Sequence, residues 1–124
     1  MKKLLVLMTL AAPLLAQANS NCDKPVNDFD GLYCLNKVYV EADKELNDKY
    51  RDLVGLLDSA GKAALKKGQI AWIKQRNSQC SRRDADGFFV NLDCATQQTI
   101  SRVQFLQDRV RECKSSGCLN SKLD

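Results

Sequence analysis

The residues with the most evident chemistry are six cysteines, at positions 22, 34, 80, 94, 113 and 118. Thiols close disulfides or hold metals. A zinc site of the usual kind draws on a C-x-x-C pair or on histidines, and this chain has neither, with no His at all. An even number of cysteines in a short exported chain reads instead as three bridges. Sequence alone leaves the pairing open, but local geometry favours Cys22–Cys34, Cys80–Cys94 and Cys113–Cys118. Each of these closes a short loop at a helix end. Bridges over loops this short stabilise by about 2–3 kcal/mol each when unstrained.

The lack of His also removes the Ser-His-Asp triad, the Cys-His dyad and imidazole metal ligation. A second polar set has helical spacing: Asp43, Asn47 and Tyr50, then Gln69 and Arg76 around Trp72, then Thr99 and Arg102. Counting back from two turns puts Asp43, Arg76 and Thr99 at one level, with Arg102 a turn away. One carboxylate then faces one or two guanidinium groups. An arginine stays charged, and a carboxylate beside it has a lowered pKa. Such a pair is a poor proton shuttle and suits a buried network that sets helix register. Removing one partner of a buried pair is expected to cost about 3–5 kcal/mol. The three Glu residues, at 41, 45 and 112, have no motif around them. A glycosidase needs two carboxyls facing across a cleft. The expectation is a protein that is not an enzyme, with no catalytic residue, cofactor or metal.

Three helices must position these groups. Leu32, Leu35, Tyr39, Ala42, Leu46, Leu53 and Leu57 recur at helical spacing after a loop-like cluster at 27–31. Asp58 to Gly61 reads as a turn. Ala64, Leu65, Trp72, Ile73 and Cys80 mark a second helix ending near Ser81–Arg83, and its Gly68 suggests a close helix–helix approach. Asp84 to Asn91 reads as the longest loop. Leu92, Thr96, Thr99, Val103, Leu106, Val110 and Cys113 mark a third helix, and Leu119 to Asp124 is expected to fray. Short connections imply antiparallel neighbours. The expected fold is all-α, an antiparallel up-down-up three-helix bundle stapled by disulfides.

The first 18 of the 124 residues read as a Sec signal peptide. Lys2 and Lys3 precede the apolar run Leu4–Leu15, and Ala16-Gln17-Ala18 is a small-residue cleavage site. Asn19, Ser20 and Asn21 stand before Cys22 where a lipobox needs small or apolar residues, so no acylation is expected. One domain of residues 19–124 remains, periplasmic or secreted. Without Lys2 and Lys3, the 19 basic residues fall to 17 against 15 acidic ones, a charge of +2. Dispersed charge of that size is no nucleic-acid footprint. Nothing after residue 18 is apolar for the ~20 residues a membrane span needs.

The order Ala42-Asp43-x-x-Leu46-Asn47-x-x-Tyr50, Leu65, Gln69-x-x-Trp72-x-x-x-Arg76-x-x-x-Cys80, Cys94 and Thr99-x-x-Arg102-x-x-x-Leu106 resembles the LprI-like lysozyme-inhibitor family. Cys22 and Cys34 extend the likeness over nearly the whole mature chain. The resemblance implies a small exported or lipid-anchored bacterial protein, helical and cysteine-stapled, from a family in which at least one member inhibits lysozyme. Two features depart from it. Cys113 and Cys118 are additional to the usual four cysteines, and a charge of +2 contrasts with the acidity that would favour binding a basic lysozyme.

The implied function is that of a periplasmic or secreted binding protein whose protein partner is a lysozyme or another peptidoglycan-degrading enzyme. The expected contact is the segment Arg82–Asn91. Its Phe88 and Phe89 are either exposed anchors or a cap on the core, the latter avoiding an aggregation risk. Asp84, Asp86 and Asp93 are the local match for a basic enzyme. The alternative is a non-catalytic envelope adaptor that binds another periplasmic protein through the same segment or the Lys62–Lys74 face. A monomer or weak dimer is expected.

Overall fold

Asn27 begins the first helix. Its side-chain oxygen accepts the Asp30 N–H at 2.9 Å, and Asp28 and Asp30 sit at the positive end of the helix dipole. Helix α1 therefore spans Asp28–Val54 and starts four residues before the apolar pattern does. The polar cluster that reads as a loop is the cap and first turn. The same holds at Asp58, which caps α2 (Ser59–Cys80) by accepting the Gly61 N–H at 2.7 Å. Asn91 caps α3 (Leu92–Ser115) through the Cys94 N–H at 3.0 Å. The computed structural model describes Cys22 and residues 24–124, so the leader assigned to 1–18 lies outside the described residues. Among them, no helix is long and apolar enough to cross a membrane.

The segment expected as a loop is a β-hairpin. Strand β1 (Ser81–Asp84) pairs antiparallel with β2 (Gly87–Val90), with Ser81 opposite Val90 and Asp84 opposite Gly87. Asp84 accepts the Asp86 N–H at 3.0 Å across the turn, and Gly87 takes φ +141°, which favours glycine. Four-residue strands are too short to display alternation in sequence. The fold is thus mostly helical, with three helices and a small two-stranded sheet, rather than all-α. The disulfides are Cys22–Cys34, Cys80–Cys94 and Cys113–Cys118.

The core fills one end of the helices. Leu46, Leu53, Leu57, Leu65, Val103 and Leu106 form one buried cluster, with Trp72, Tyr50 and Phe105 against it. Helix α1 packs chiefly on α3 and touches α2 little. Toward the hairpin the packing thins. Leu32 and Leu35 lie on the expected inner face, yet both are exposed. The α3 residues buried at this end are small, Ala95, Thr96 and Thr99, and do not fill the space.

Residues 119–124 are not frayed. A 3-10 turn at Asn120–Lys122 delivers Leu123 into the core cluster, where it is 1% exposed. This segment lies on α2. A Cβ on Gly68 would stand 2.5 Å from the Leu123 carbonyl oxygen, and one on Gly61 would stand 2.6 Å from Asn120 Oδ1. Gly68 therefore makes room for the chain's own C-terminal segment, not for another helix.

Asn120 also donates to Asp58 Oδ1 at 3.1 Å. The Gly61 N–H first, then the Asn120 amide, hold the Asp58 carboxyl below its ordinary 3.8. A depressed folded-state pKa gives stability that is present above the ordinary value and lost as pH falls through the folded one. Thermal midpoints taken from neutral pH to about pH 2 should therefore fall at the acid end. Asp58→Asn, which keeps a good capping side chain, should flatten that dependence.

Candidate functional site

The hairpin register decides what the chain displays. Arg82 stands opposite Phe89, and Arg83 opposite Phe88. The Arg82 guanidinium carbon lies 4.4 Å from the Phe89 ring centre, and that of Arg83 lies 5.4 Å from Phe88. Neighbouring residues on a strand point to opposite faces, so each face of the hairpin carries one stacked Arg–Phe pair. Phe88 is 60% exposed and Phe89 41%. Neither ring caps the core. The acidic residues named from sequence are partly occupied: Asp84 closes the turn and lies 3.6 Å from Arg82 Nε. Asp86 stands beside it at the turn. Two arginines offset two aspartates, so the hairpin is mixed in charge rather than acidic.

Behind the hairpin lies a cleft of about 450 Å³. Asn36 and Tyr39 of α1, Arg76 and Asn77 of α2, Phe88 and Val90 of β2, and Leu92 and Ala95 of α3 line it. It occupies the end of the bundle that the small α3 residues leave unfilled.

The polar set separates into two groups. Arg76 is mostly buried, flanked by the rings of Trp72 at 5.0 Å and Tyr39 at 5.8 Å. Its NH1 donates to Thr99 Oγ1 at 3.4 Å, and Thr99 donates to the Ala95 carbonyl at 2.7 Å. The nearest Asp43 oxygen is 4.0 Å away, on a side chain 44% exposed. Asn47 is exposed and donates to the Asp43 carbonyl at 3.0 Å. Tyr50 is half-buried against the core. The second group is Gln69 and Arg102: the Arg102 Nε donates to Gln69 Oε1 at 2.9 Å, and Phe105 lies under the guanidinium at 4.2 Å. Burial lowers the Arg102 pKa, and its NH2 is buried without a hydrogen-bond partner.

The structure therefore brings Asp43, Arg76 and Thr99 to one level but leaves the carboxylate half-exposed to water. A solvated ion pair at this separation contributes about 0–1 kcal/mol. Asp43→Ala should lower the unfolding free energy, measured by urea denaturation, by no more than that, well short of the ~3–5 kcal/mol of a buried pair. A loss of about 3 kcal/mol or more would restore the buried-pair reading. Sequence reasoning passed over Arg82 and Arg83 as aromatic partners, because their pairing depends on a strand register. It also passed over Asn36, Asn77 and the cleft. Phe105 and Arg109 follow Arg102 at helical spacing, and Arg109 lies 5.2 Å from the Phe105 ring, a signal that was available in the sequence.

Residues 21–106 match the family model described as Lysozyme inhibitor LprI. The chain belongs to the LprI family. The LprI match contains the hairpin, the cleft and both polar groups. It ends at Leu106, before the Cys113–Cys118 bridge and the segment that docks on α2. An uncharacterized protein of Rhizobium meliloti (strain 1021) is 35% identical over 89 residues, covering 60% of this chain and 64% of the relative. The chain thus spans less than two thirds of that relative's length. No solved structure matches.

Proposed function

We propose that this LprI protein is a non-catalytic binding protein of the bacterial envelope that inhibits a lysozyme, or another peptidoglycan-degrading enzyme, by laying its hairpin across the enzyme's cleft. The observation that carries this reading is the pair of exposed Arg–Phe stacks on the hairpin's two faces. Arginine and aromatic side chains dominate binding hot spots. The hairpin is also held at its base by Cys80–Cys94 and by the Asn91 N–H on the Cys80 carbonyl at 2.8 Å. Pre-organisation of this kind lowers the entropy lost on binding. Asp84 and Asp86 at the turn supply the local match for a basic enzyme.

The reading includes export by the leader 1–18, release of a single domain 19–124 without acylation, and residence in the periplasm or outside the cell. Three disulfides fit an oxidising compartment. An up-down-up course of the helices belongs to it too. The hydrogen bond from Gln107 of α3 to Glu45 of α1 has a sequence offset of 62, and the bond from Asn120 to Asp58, past the ends of both helices, keeps the same offset, which supports α1 and α3 running in the same direction.

The test is loss of cell-wall turbidity. Protein purified from the periplasm of an expression host is titrated against c-type, g-type and i-type lysozymes. Abolished lysis at equimolar or lower ratio for one class is the expected result. Flat curves for all three, with folded and oxidised protein, would overturn inhibition of lysozyme.

A second reading is an envelope adaptor. It is favoured by the exposed Phe29, Leu32 and Tyr33, which share one face near the start of α1. An apolar helix face suits a groove on another protein.

A further inference from the structure

We propose that the cleft behind the hairpin binds the free carboxylate end of a short peptide, with Arg76 holding the carboxylate. The volume, about 450 Å³, falls within the ~300–1,000 Å³ of small-ligand sites. Its walls are largely apolar, from Tyr39, Phe88, Val90 and Leu92. Arg76 is the one charged residue among those lining it. The other polar side chains there are neutral, chiefly the amides of Asn36 and Asn77, which suit peptide N–H and C=O groups.

The state of the guanidinium is the central observation. Arginine has five N–H donors in a planar fork. Three are used here, Nε and NH2 on Asn77 Oδ1 at 3.2 and 3.1 Å and NH1 on Thr99 Oγ1 at 3.4 Å. Both acceptors are uncharged. The nearest carboxylate, Asp43, stays 4.0 Å away on a half-exposed side chain. A mostly buried positive charge thus faces a largely apolar cleft with two donors to spare, and its carboxylate neighbour, Asp43, pairs with it only at that distance and without a direct hydrogen bond. A single guanidinium matches a singly charged, planar carboxylate bidentately. A phosphate group, with more charge and more oxygens, would call for further cations that the lining does not contain. This inference does not rest on lysozyme inhibition, although Phe88 borders both surfaces.

The experiment is an amide NMR titration of the periplasmically expressed, oxidised protein. One probe is N-acetyl-alanyl-leucine with a free carboxylate, and the other is the same dipeptide as its C-terminal amide. Saturable shifts at Asn36, Asn77 and Ala95 are expected for the acid at a Kd of about 1 mM, with the amide at least about tenfold weaker. Val90→Glu, a substitution at an exposed position on the cleft wall, should abolish the acid's binding while the spectrum stays folded. Asp43→Asn, which removes the competing carboxylate 4.0 Å from the guanidinium, should tighten it several-fold. Equal binding of acid and amide, shifts located elsewhere, no binding by either probe, or Val90→Glu binding as well as wild type would each overturn the proposal. No lysozyme is present in this titration, so its outcome and that of the lysis assay are read separately.

Discussion

Leu123→Ala should lower the unfolding free energy by about 2–5 kcal/mol, the cost of emptying a fully buried leucine site. In a domain of this size that moves the thermal midpoint by roughly 10 °C or more. The residue is the last but one of the chain, a place where truncation is ordinarily harmless. Here its side chain completes the cluster of Leu53, Leu65 and Leu106. Its backbone lies so close to Gly68 that a methyl group there meets the Leu123 carbonyl at 2.5 Å and the Asp124 Cα at 2.7 Å. Both obstacles are backbone, so Gly68→Ala must lift the segment rather than turn a side chain aside. The two substitutions therefore act on one event. Urea denaturation of both single variants and the double variant should show a double-variant loss clearly smaller than the sum. Strict additivity, or a Leu123→Ala variant as stable as wild type, would show that the segment adds nothing to the core.

That dependence was hidden in the sequence for a physical reason. Residues 119–124 offer two leucines among polar residues and no period, so nothing marks Leu123 as buried. The glycine that receives it carries a signal, since glycine costs stability inside a helix, but the signal says only that something comes close. Polar clusters at Asn27–Gly31 and Asp58–Gly61 read as loops because capping residues and turn residues are the same types. The inner-face spacing of Leu32 and Leu35 was legible, whereas their exposure depends on how little the small residues of α3 fill. Counting from the turns placed Asp43, Arg76 and Thr99 together, because helical rise is nearly constant. It could not show which of them water reaches. The cysteine pairs were legible because each closes a short loop, with partners 5 to 14 positions apart in sequence. The Arg–Phe stacks were not, since four-residue strands leave no alternation to read.

The largest functional effect should come from Phe88→Ser combined with Phe89→Ser. If the hairpin is the anchor, loss of two hot-spot rings costs about 2–4 kcal/mol of binding. That raises the concentration for half-inhibition of lysis by a factor of about 30 to 1,000. Stability should hardly change: both rings are exposed, and Cys80–Cys94 holds the strand ends whatever the side chains. Equal thermal midpoints then separate lost binding from lost fold. Arg82→Gln with Arg83→Gln removes the cations that stack on those rings and should weaken inhibition less, with a reduced salt dependence. Phe29→Ser supplies the contrast. It lies on the exposed apolar face at the start of α1 and does not line the cleft behind the hairpin, and should leave inhibition intact. The reverse pattern, with inhibition indifferent to the hairpin and sensitive to Phe29, would move the contact to α1. An adaptor-like surface would then be the one that meets the enzyme, because a helix face presents its apolar stripe along several turns while a hairpin presents two rings at one point.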